Sequence, residues 1–541
     1  MVLDLDLGSK KHGSIVNFKK LFLYFEQFQT TFHPSANPIY SGIDHYTPSP
    51  FHRENRGEHV QITNRLNTHT FLKVIFLCEK LNILVIEYAS PFIYVVYFFF
   101  DVKNLSRDDF NRFKNINYLM YMIDSLSFDD LKKLYDEDLN LDKSTYTSSN
   151  DVPTPIDCVC EMLKALPNEL WSRKNLSILD PCCGNGNFHM PIYFKLKEHF
   201  DTQHILENIL EFNDLNTNRL ENVRKVFNDG THTLQVQNVD FLTFNTDKRY
   251  DLVVANPPYA KLMPDGKRAS KNHNLIKDFI EKSLELLKPN GYLLFITPDN
   301  WMSYADRNTL IKRLTELQIL HLDIHSAKKY FKKIGSSFTW YAIQNCKSYK
   351  DMKITGIWKK KEYVDYVPSK IRKYIPLVYN KIVHDILEKT VDNPNLEKFK
   401  VETSSDLHKY TKRDLIVSEN DDEHPYKLIH TPKQTVWASR PHKYQDGYKV
   451  FISTTDKYSV FVDACGMTQS IAFIRCSTEE EAHEFKKILE HPIYKFINDI
   501  CRWGNFNNIR ILQNLPIIRD ADLFNALNIT NEEIEFIRQS L

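Results

Sequence analysis

Two short apolar runs, Leu176-Ser177-Ile178-Leu179 and Tyr250-Asp251-Leu252-Val253-Val254-Ala255, each stop at a sharp polar turn. A β-branched run bounded in this way predicts a buried strand with a loop at its carboxyl end. The first loop is Asp180-Pro181-Cys182-Cys183-Gly184-Asn185-Gly186-Asn187-Phe188, and the second is Asn256-Pro257-Pro258-Tyr259. Residues 209–216 read as a further strand ending in an acid, and residues 236–241 as a third. Residues 275–287 carry a helical apolar period, break at Lys288-Pro289-Asn290-Gly291 and run into the strand Tyr292-Leu293-Leu294-Phe295-Ile296-Thr297-Pro298. Helix alternating with strand predicts a doubly wound α/β sheet, mixed in direction. Ligands of such sheets bind beyond the carboxyl ends of the strands.

The flanking pattern is less regular. Residues 1–66 show little periodicity and suggest no role. Residues 71–100 are strongly apolar, but Lys73, Glu79, Lys80 and Glu87 interrupt them. A membrane span needs about 20 apolar residues almost free of charge, so buried strands or a core helix are expected and a membrane is not. Residues 106–143 have helical spacing with charged faces and predict surface helices. In Val152-Pro153-Thr154-Pro155, Thr154 is expected to cap a helix that Pro155 opens. Residues 330–343 read as an aromatic-rich loop and hairpin. A basic, broken segment at residues 346–375 marks a boundary, and a separate α+β domain is expected to follow it.

Composition adds limits. The 541 residues are 42% apolar and 26% charged, as in a soluble globular protein of two to four domains. The net charge of +1 gives no global basic field, so a nucleic-acid surface would have to be local. Nine cysteines occur without a Cys-x-x-Cys pair, which predicts no metal site and a reducing, intracellular setting. The first residues do not read as a signal peptide, and a secreted protein is not expected.

The chemistry concentrates in the second loop. Two prolines stiffen it and donate no N–H. The Asn256 side-chain oxygen and a proline carbonyl can therefore accept both protons of one NH2 group, while Tyr259 offers a stacking face. Accepting both protons turns the nitrogen lone pair out of conjugation and toward an electrophile. With a sulfonium methyl as that electrophile, no ionisable base is required.

Together, Asp180 to Phe188 and Asn256 to Tyr259 resemble the gamma group of S-adenosylmethionine-dependent DNA N6-adenine methyltransferases, the methylases of type II restriction-modification systems. The resemblance implies a Rossmann-like methyltransferase fold with a C-terminal target-recognition domain. Residues 1–105 would then be an N-terminal extension of unknown role, 106–345 the catalytic domain and 346–541 the DNA-binding domain. It implies S-adenosylmethionine held by Thr154, Asp180, Pro181, Cys182, Gly184, Gly186, Asp214, Asp240 and Phe241. Thr154 would meet the methionine carboxylate, Asp214 the ribose (with Glu211 as its rival), and Asp240 and Phe241 the adenine. The catalytic set would be Asn256, Pro257, Pro258 and Tyr259, with Phe331 stacking on the far side of a flipped base; Phe338 and Tyr330 are alternatives to Phe331.

The expected partners are double-stranded DNA and a cognate restriction endonuclease acting separately. Lys267 and Arg268, in a basic loop after Tyr259, are candidates for phosphate contact. Arg502, Asn505, Asn508 and Arg510 are candidates for reading base edges. Competing readings are a protein-glutamine or ribosomal RNA amino methyltransferase and a cytosine-N4 methyltransferase. Glu484-Phe485-Lys486 has a nuclease-like form, but it lies on a charged amphipathic helix.

Overall fold

A computed structural model describes the backbone of four strands between Ile62 and Phe100. With side chains, it describes residues 123, 126–141 and 152–541, apart from 228–231, 260–274, 307, 332–334, 336 and 456. The chain forms two compact units, Met1–Ser106 and Arg107–Leu541.

In the first unit, β1 (Ile62–Leu66), β2 (Thr70–Cys78), β3 (Ile83–Ser90) and β4 (Ile93–Phe100) form an antiparallel meander. Most of the apolar stretch is thus strand. Lys73, which interrupts it, is the register partner of Glu87 on the neighbouring strand. No helix among the described residues is long and apolar enough to cross a membrane.

The second unit is built on a nine-stranded mixed sheet. Its strands are β5 (Ile178–Asp180), β6 (Leu210–Asn213), β7 (Gln235–Gln237), β8 (Tyr250–Ala255), β9 (Leu287–Pro298), β10 (Leu317–Asp323), β11 (Phe338–Lys347), β12 (Met352–Trp358) and β13 (Lys361–Val367). Their spatial order is β13-β12-β10-β11-β9-β8-β5-β6-β7. Strands β5 to β9 run parallel to one another, and β11 is wedged antiparallel between β9 and β10. The chain passes from β5 outward to β6 and β7, then returns to β8 on the other side of β5. The order therefore reverses between β5 and β8, where the two loops leave the sheet, the place at which sheets of this kind bind ligand.

Alternation along β8 shows why its run is apolar throughout. Val253 and Ala255 face one core, with Phe279 and Ile280; Leu252 and Val254 face the other, with Met162 and Ile192. Helices cover both faces. α1 (Phe128–Leu134, widening to a π turn through Leu139), α2 (Ile156–Leu163), α3 (His189–Leu196) and α4 (Thr217–Phe227) pack on one side. α5 (Leu275–Leu286) and α6 (Thr309–Glu316) pack on the other.

The sheet continues past residue 346, because β12 pairs parallel with β10 and carries β13 with it. The core on the α5 side also extends through Ile354 and Val367 to α7 (Lys381–Lys389) and to Ile493 and Ile497. Beyond that lies the expected α+β portion. It holds two four-stranded sheets between Glu402 and Arg475, then α8 (Glu479–Leu489), α9 (Pro492–Ile500) and α10 (Ile509–Leu512). On α8, Phe485 is buried while Glu484 pairs with Arg519 and Lys486 with Glu490, so the two charges flank a core residue and are engaged in ion pairs within the protein.

Candidate active site

The Gly-rich loop is pinned from several sides. Cys183 N–H donates to the Asn213 carbonyl at the end of β6, 2.8 Å away. Asn185 donates to the Leu139 carbonyl at 3.0 Å, and the Tyr135 hydroxyl donates to the Asn185 carbonyl at 2.8 Å. Asn187 bridges the Thr154 carbonyl (2.8 Å) and Asn140 (3.1 Å). Gly184 and Gly186 adopt φ of 57° and 87°, a region that favours glycine. A Cβ on Gly186 would meet the Phe227 ring at 2.7 Å.

Two acids flank this loop. Asp180 ends β5 and is 1% exposed. One of its oxygens accepts Cys182 N–H at 3.1 Å; Oδ2 is buried without a hydrogen-bond partner among the described residues. Burial pushes this carboxyl well above the usual range, and nearby Asp214 adds to the effect. Asp214 follows β6 and accepts N–H groups from Gly184 and Asn216, each at 2.8 Å. Its rival Glu211 lies within β6 and pairs with Lys248 at 2.7 Å, away from the strand end. Asp240 is exposed and caps the short turn Phe241–Thr243, whereas Phe241 is 2% exposed and packs against Phe279.

Asn256 leaves β8 beside the Gly loop, with Cys182 Sγ 3.6 Å from its carbonyl. Its amide nitrogen donates to the Val152 carbonyl (2.8 Å) and to Thr154 Oγ1 (3.1 Å). Its side-chain oxygen accepts the Tyr259 hydroxyl at 2.7 Å. Pro257 is buried and Pro258 exposed. The expected helix cap at Thr154 is not formed. Pro155 is the cap residue of α2 and makes no side-chain bond, so Thr154 sits one residue too early to reach the first-turn amides. Its hydroxyl instead serves Asn256.

The aromatic wall is shared. Phe331 and Phe338, 2% and 1% exposed, stack at 4.5 Å, and the Phe338 ring lies 6.1 Å from Tyr259. Tyr330 is turned to α2, where its hydroxyl donates to Glu161 at 2.6 Å beside the Lys329–Glu161 ion pair at 2.9 Å.

The candidate DNA-facing residues separate in the structure. Lys267 and Arg268 lie outside the described residues. Arg502 donates to the Asn505 carbonyl at 2.8 Å, and Asn505 is exposed next to Phe506, which is 64% exposed. Asn508 caps α10 with its oxygen and donates to Ser303 (3.1 Å) and the Tyr304 carbonyl (2.9 Å). Arg510 pairs with Asp306 and donates to Gln513 at 2.7 Å. Asn508 and Arg510 thus tie α10 to the loop that follows β9.

The residues present fit a nucleoside-bearing cofactor beyond the ends of β5 and β8. Asp180 keeps a buried acceptor without a partner among the described residues. A Cβ on Gly184 would have no described atom within 4 Å, and Asp214 presents its carboxylate to the same loop at 2.8 Å. Among the described residues, no cluster of His, Cys, Asp or Glu could hold a metal ion.

Sequence patterns alone did not flag Tyr135, Leu139 and Asn140 as supports of the Gly loop. The available signal was the spacing Phe128, Leu131, Leu134, Tyr135, one face of a helix, of which Leu131 and Tyr135 are fully buried.

Comparison with known proteins bears out the resemblance carried by the two loops. Residues 92–331 match the family model of the Eco57I restriction-modification methylase. The chain is 27% identical over 205 residues to the type II methyltransferase M.VspI of Vibrio sp. (strain 343), covering 36% of this chain and 47% of that protein. It is 33% identical over 70 residues to a tRNA1(Val) (adenine(37)-N6)-methyltransferase of a Flavobacteriaceae bacterium (strain 3519-10), covering 12% of this chain and 30% of that protein. The chain thus spans half or less of the length of these curated relatives. Among solved structures it is similar to a class I S-adenosylmethionine-dependent methyltransferase of Listeria monocytogenes, with 19% identity and a TM-score of 0.36 over 47% of this chain and 80% of that one.

Proposed function

We propose that the protein is a site-specific, adenine-specific DNA methyltransferase, a reading supported by the match of residues 92–331 to the Eco57I restriction-modification methylase family model. It would transfer a methyl group from S-adenosylmethionine to the N6 amine of an adenine flipped out of duplex DNA. The observation that supports this most directly is the orientation of Asn256, whose nitrogen is held by Val152 and Thr154 so that its oxygen is turned to the Tyr259 hydroxyl.

Each residue has a task in this reading. The target atom lies inside the duplex, so the base must leave the stack at a cost of about a few kcal/mol. Tyr259, backed by the buried Phe338 and Phe331, offsets part of this by stacking, worth about 1–3 kcal/mol per base. Asn256 Oδ1 and a proline carbonyl accept the two amine protons and expose the nitrogen lone pair. The Tyr259 hydroxyl holds the Asn256 acceptor until the amine takes its place. Asp180, Asp214 and the Pro181 to Gly186 backbone hold the cofactor, with Asp240 at its adenine end. When bound, S-adenosylmethionine supplies an electrophilic methyl group. The C-terminal portion, through Arg502 and Asn505, reads the flanking bases. A partner endonuclease would act separately on the same DNA, inside the cell where that DNA resides.

Asn256→Ala tests the reading. It should leave cofactor affinity nearly unchanged and lower kcat by about 100-fold or more, as loss of a preorganised transition-state contact does. Methylation of host or plasmid DNA by the variant at near wild-type rate would remove this loop from the chemistry. A second reading, adenine methylation of a structured RNA, is favoured by the tRNA methyltransferase among the relatives. Assaying duplex DNA and tRNA side by side separates the two, and the proposal expects N6-methyladenine in the duplex alone.

A further inference from the structure

We infer that Thr154 is a positioning residue for Asn256, setting which end of the catalytic amide faces the substrate. This inference rests on the reading of Asn256 as the acceptor for the target amine.

A carbonyl oxygen can only accept a hydrogen bond, so the Asn256 atom that faces the Val152 carbonyl at 2.8 Å is the nitrogen. Its second proton goes to Thr154 Oγ1 at 3.1 Å. With both protons engaged on one side, Oδ1 is turned to the other, where it meets the Tyr259 hydroxyl at 2.7 Å. A rotated amide would set Oδ1 against the Val152 carbonyl and present an NH2 group to an amine that needs an acceptor.

The segment that does this is stiff. Val152 and Thr154 are each followed by proline, which restricts both to extended backbone. Thr154 is 2% exposed, so its hydroxyl is held by packing. The same residue's carbonyl accepts Asn187 Nδ2 at 2.8 Å, which ties the segment to the Gly loop. Thr154 therefore stands between the cofactor loop and Asn256, with its side chain committed to the latter. This role differs from the contact with the cofactor's methionine carboxylate that the family resemblance implies.

The test uses the full chain with Thr154→Val, which keeps the branched shape and removes the acceptor, and Thr154→Ser, which keeps the acceptor. Thr154→Ala serves the same comparison if the valine variant does not fold. The expected result is a fall in kcat of about 10- to 100-fold for valine, the range between loss of one hydrogen bond and an ~1 Å misplacement. The S-adenosylmethionine Kd should stay within about two-fold, and serine should restore most of the rate. Because Thr154 acts through Asn256, Thr154→Val should have no further effect on the residual rate of Asn256→Ala. A weakened cofactor Kd with kcat preserved would overturn the inference and return Thr154 to the cofactor. An equal fall in rate in the Asn256→Ala background would overturn it as well. Near wild-type activity of Asn256→Ala alone is a different failure, that of the proposed function.

Discussion

Gly184 and Gly186 sit two residues apart in one loop, and the fold makes opposite demands on them. A methyl group on Gly184 would meet no described atom within 4 Å, so alanine there carries only the left-handed backbone cost, about 1–2 kcal/mol. At Gly186 the φ is 87° and the new Cβ would stand 2.7 Å from a fully buried Phe227. Overpacking adds about 1–3 kcal/mol there. Gly186→Ala should therefore lower the urea midpoint clearly more than Gly184→Ala. The order of cofactor affinities should be the reverse, because the open space at Gly184 is where ligand would lie. Calorimetry and urea melts on the two variants check both orders. The sequence pointed to both glycines but not to this division, since Phe227 lies far along the chain on α4.

At the scale of elements, the strand ends place the chemistry and short turns hold it. Strand β10 ends at Asp323, fully buried, whose carboxylate accepts the Ser326 hydroxyl, Ala327 N–H at 3.0 Å and the Thr355 hydroxyl at 2.7 Å. These bonds fix the turn Ser326–Lys329 that leads to Phe331. Burial outweighs the three donors and pushes this carboxyl up to about 6. A carboxyl raised above its unfolded value binds more protons when folded, so its contribution is fully present below about pH 4 and is lost as pH rises through about 6. The size is of order a few kcal/mol, since each tenfold change in proton affinity is worth about 1.4 kcal/mol. The difference in urea midpoint between wild type and Asp323→Asn should therefore move against the wild type across that window and be flat above it. A difference that does not vary with pH would show that the donors balance burial, and one that moves in favour of the wild type with rising pH would show that they outweigh it. The strands themselves were legible. Strands appear within or beside the runs at 176–179, 209–216 and 250–255, and the helix at 275–287 is present, but the expected break at Lys288–Gly291 is not a loop: strand β9 already begins at Leu287. The expected Thr154 cap failed because the helix starts one residue later than the Pro155 rule suggests, and only the fold shows that Asn256 uses the hydroxyl.

At the scale of the molecule, the sheet and its core do not stop where the basic segment after residue 346 suggested. Strands β12 and β13 complete the sheet, and α7 and α9 pack on the same core. We propose that the recognition portion begins after Val367. On that proposal Arg502 and Asn505 remain the candidates for DNA contact, whereas Asn508 and Arg510 tie α10 to Ser303, Tyr304 and Asp306. Arg502→Ala should relax discrimination at one base position by about 1–3 kcal/mol in a library of near-cognate duplexes. Asn508→Ala, which removes a helix cap and a tether, should instead cost about 1–2 kcal/mol of stability and leave the sequence preference intact. Uniform loss across the library for Arg502→Ala would reduce that residue to a backbone contact.

The α/β winding, the two loops and the chemistry proposed for Asn256 to Tyr259 were read from the chain alone. They depend on period, on local turn residues and on which side-chain atoms can accept a proton, all of which are set along the sequence. The rest came from three-dimensional packing. It brought Val152 and Thr154 to an amide about a hundred residues away, and set Phe338 between Phe331 and Tyr259. It also engaged Asn508 and Arg510 within the protein and left Arg502 with Asn505. Such contacts join residues distant in sequence, and their partners are chosen by strand order and packing, which no local pattern encodes.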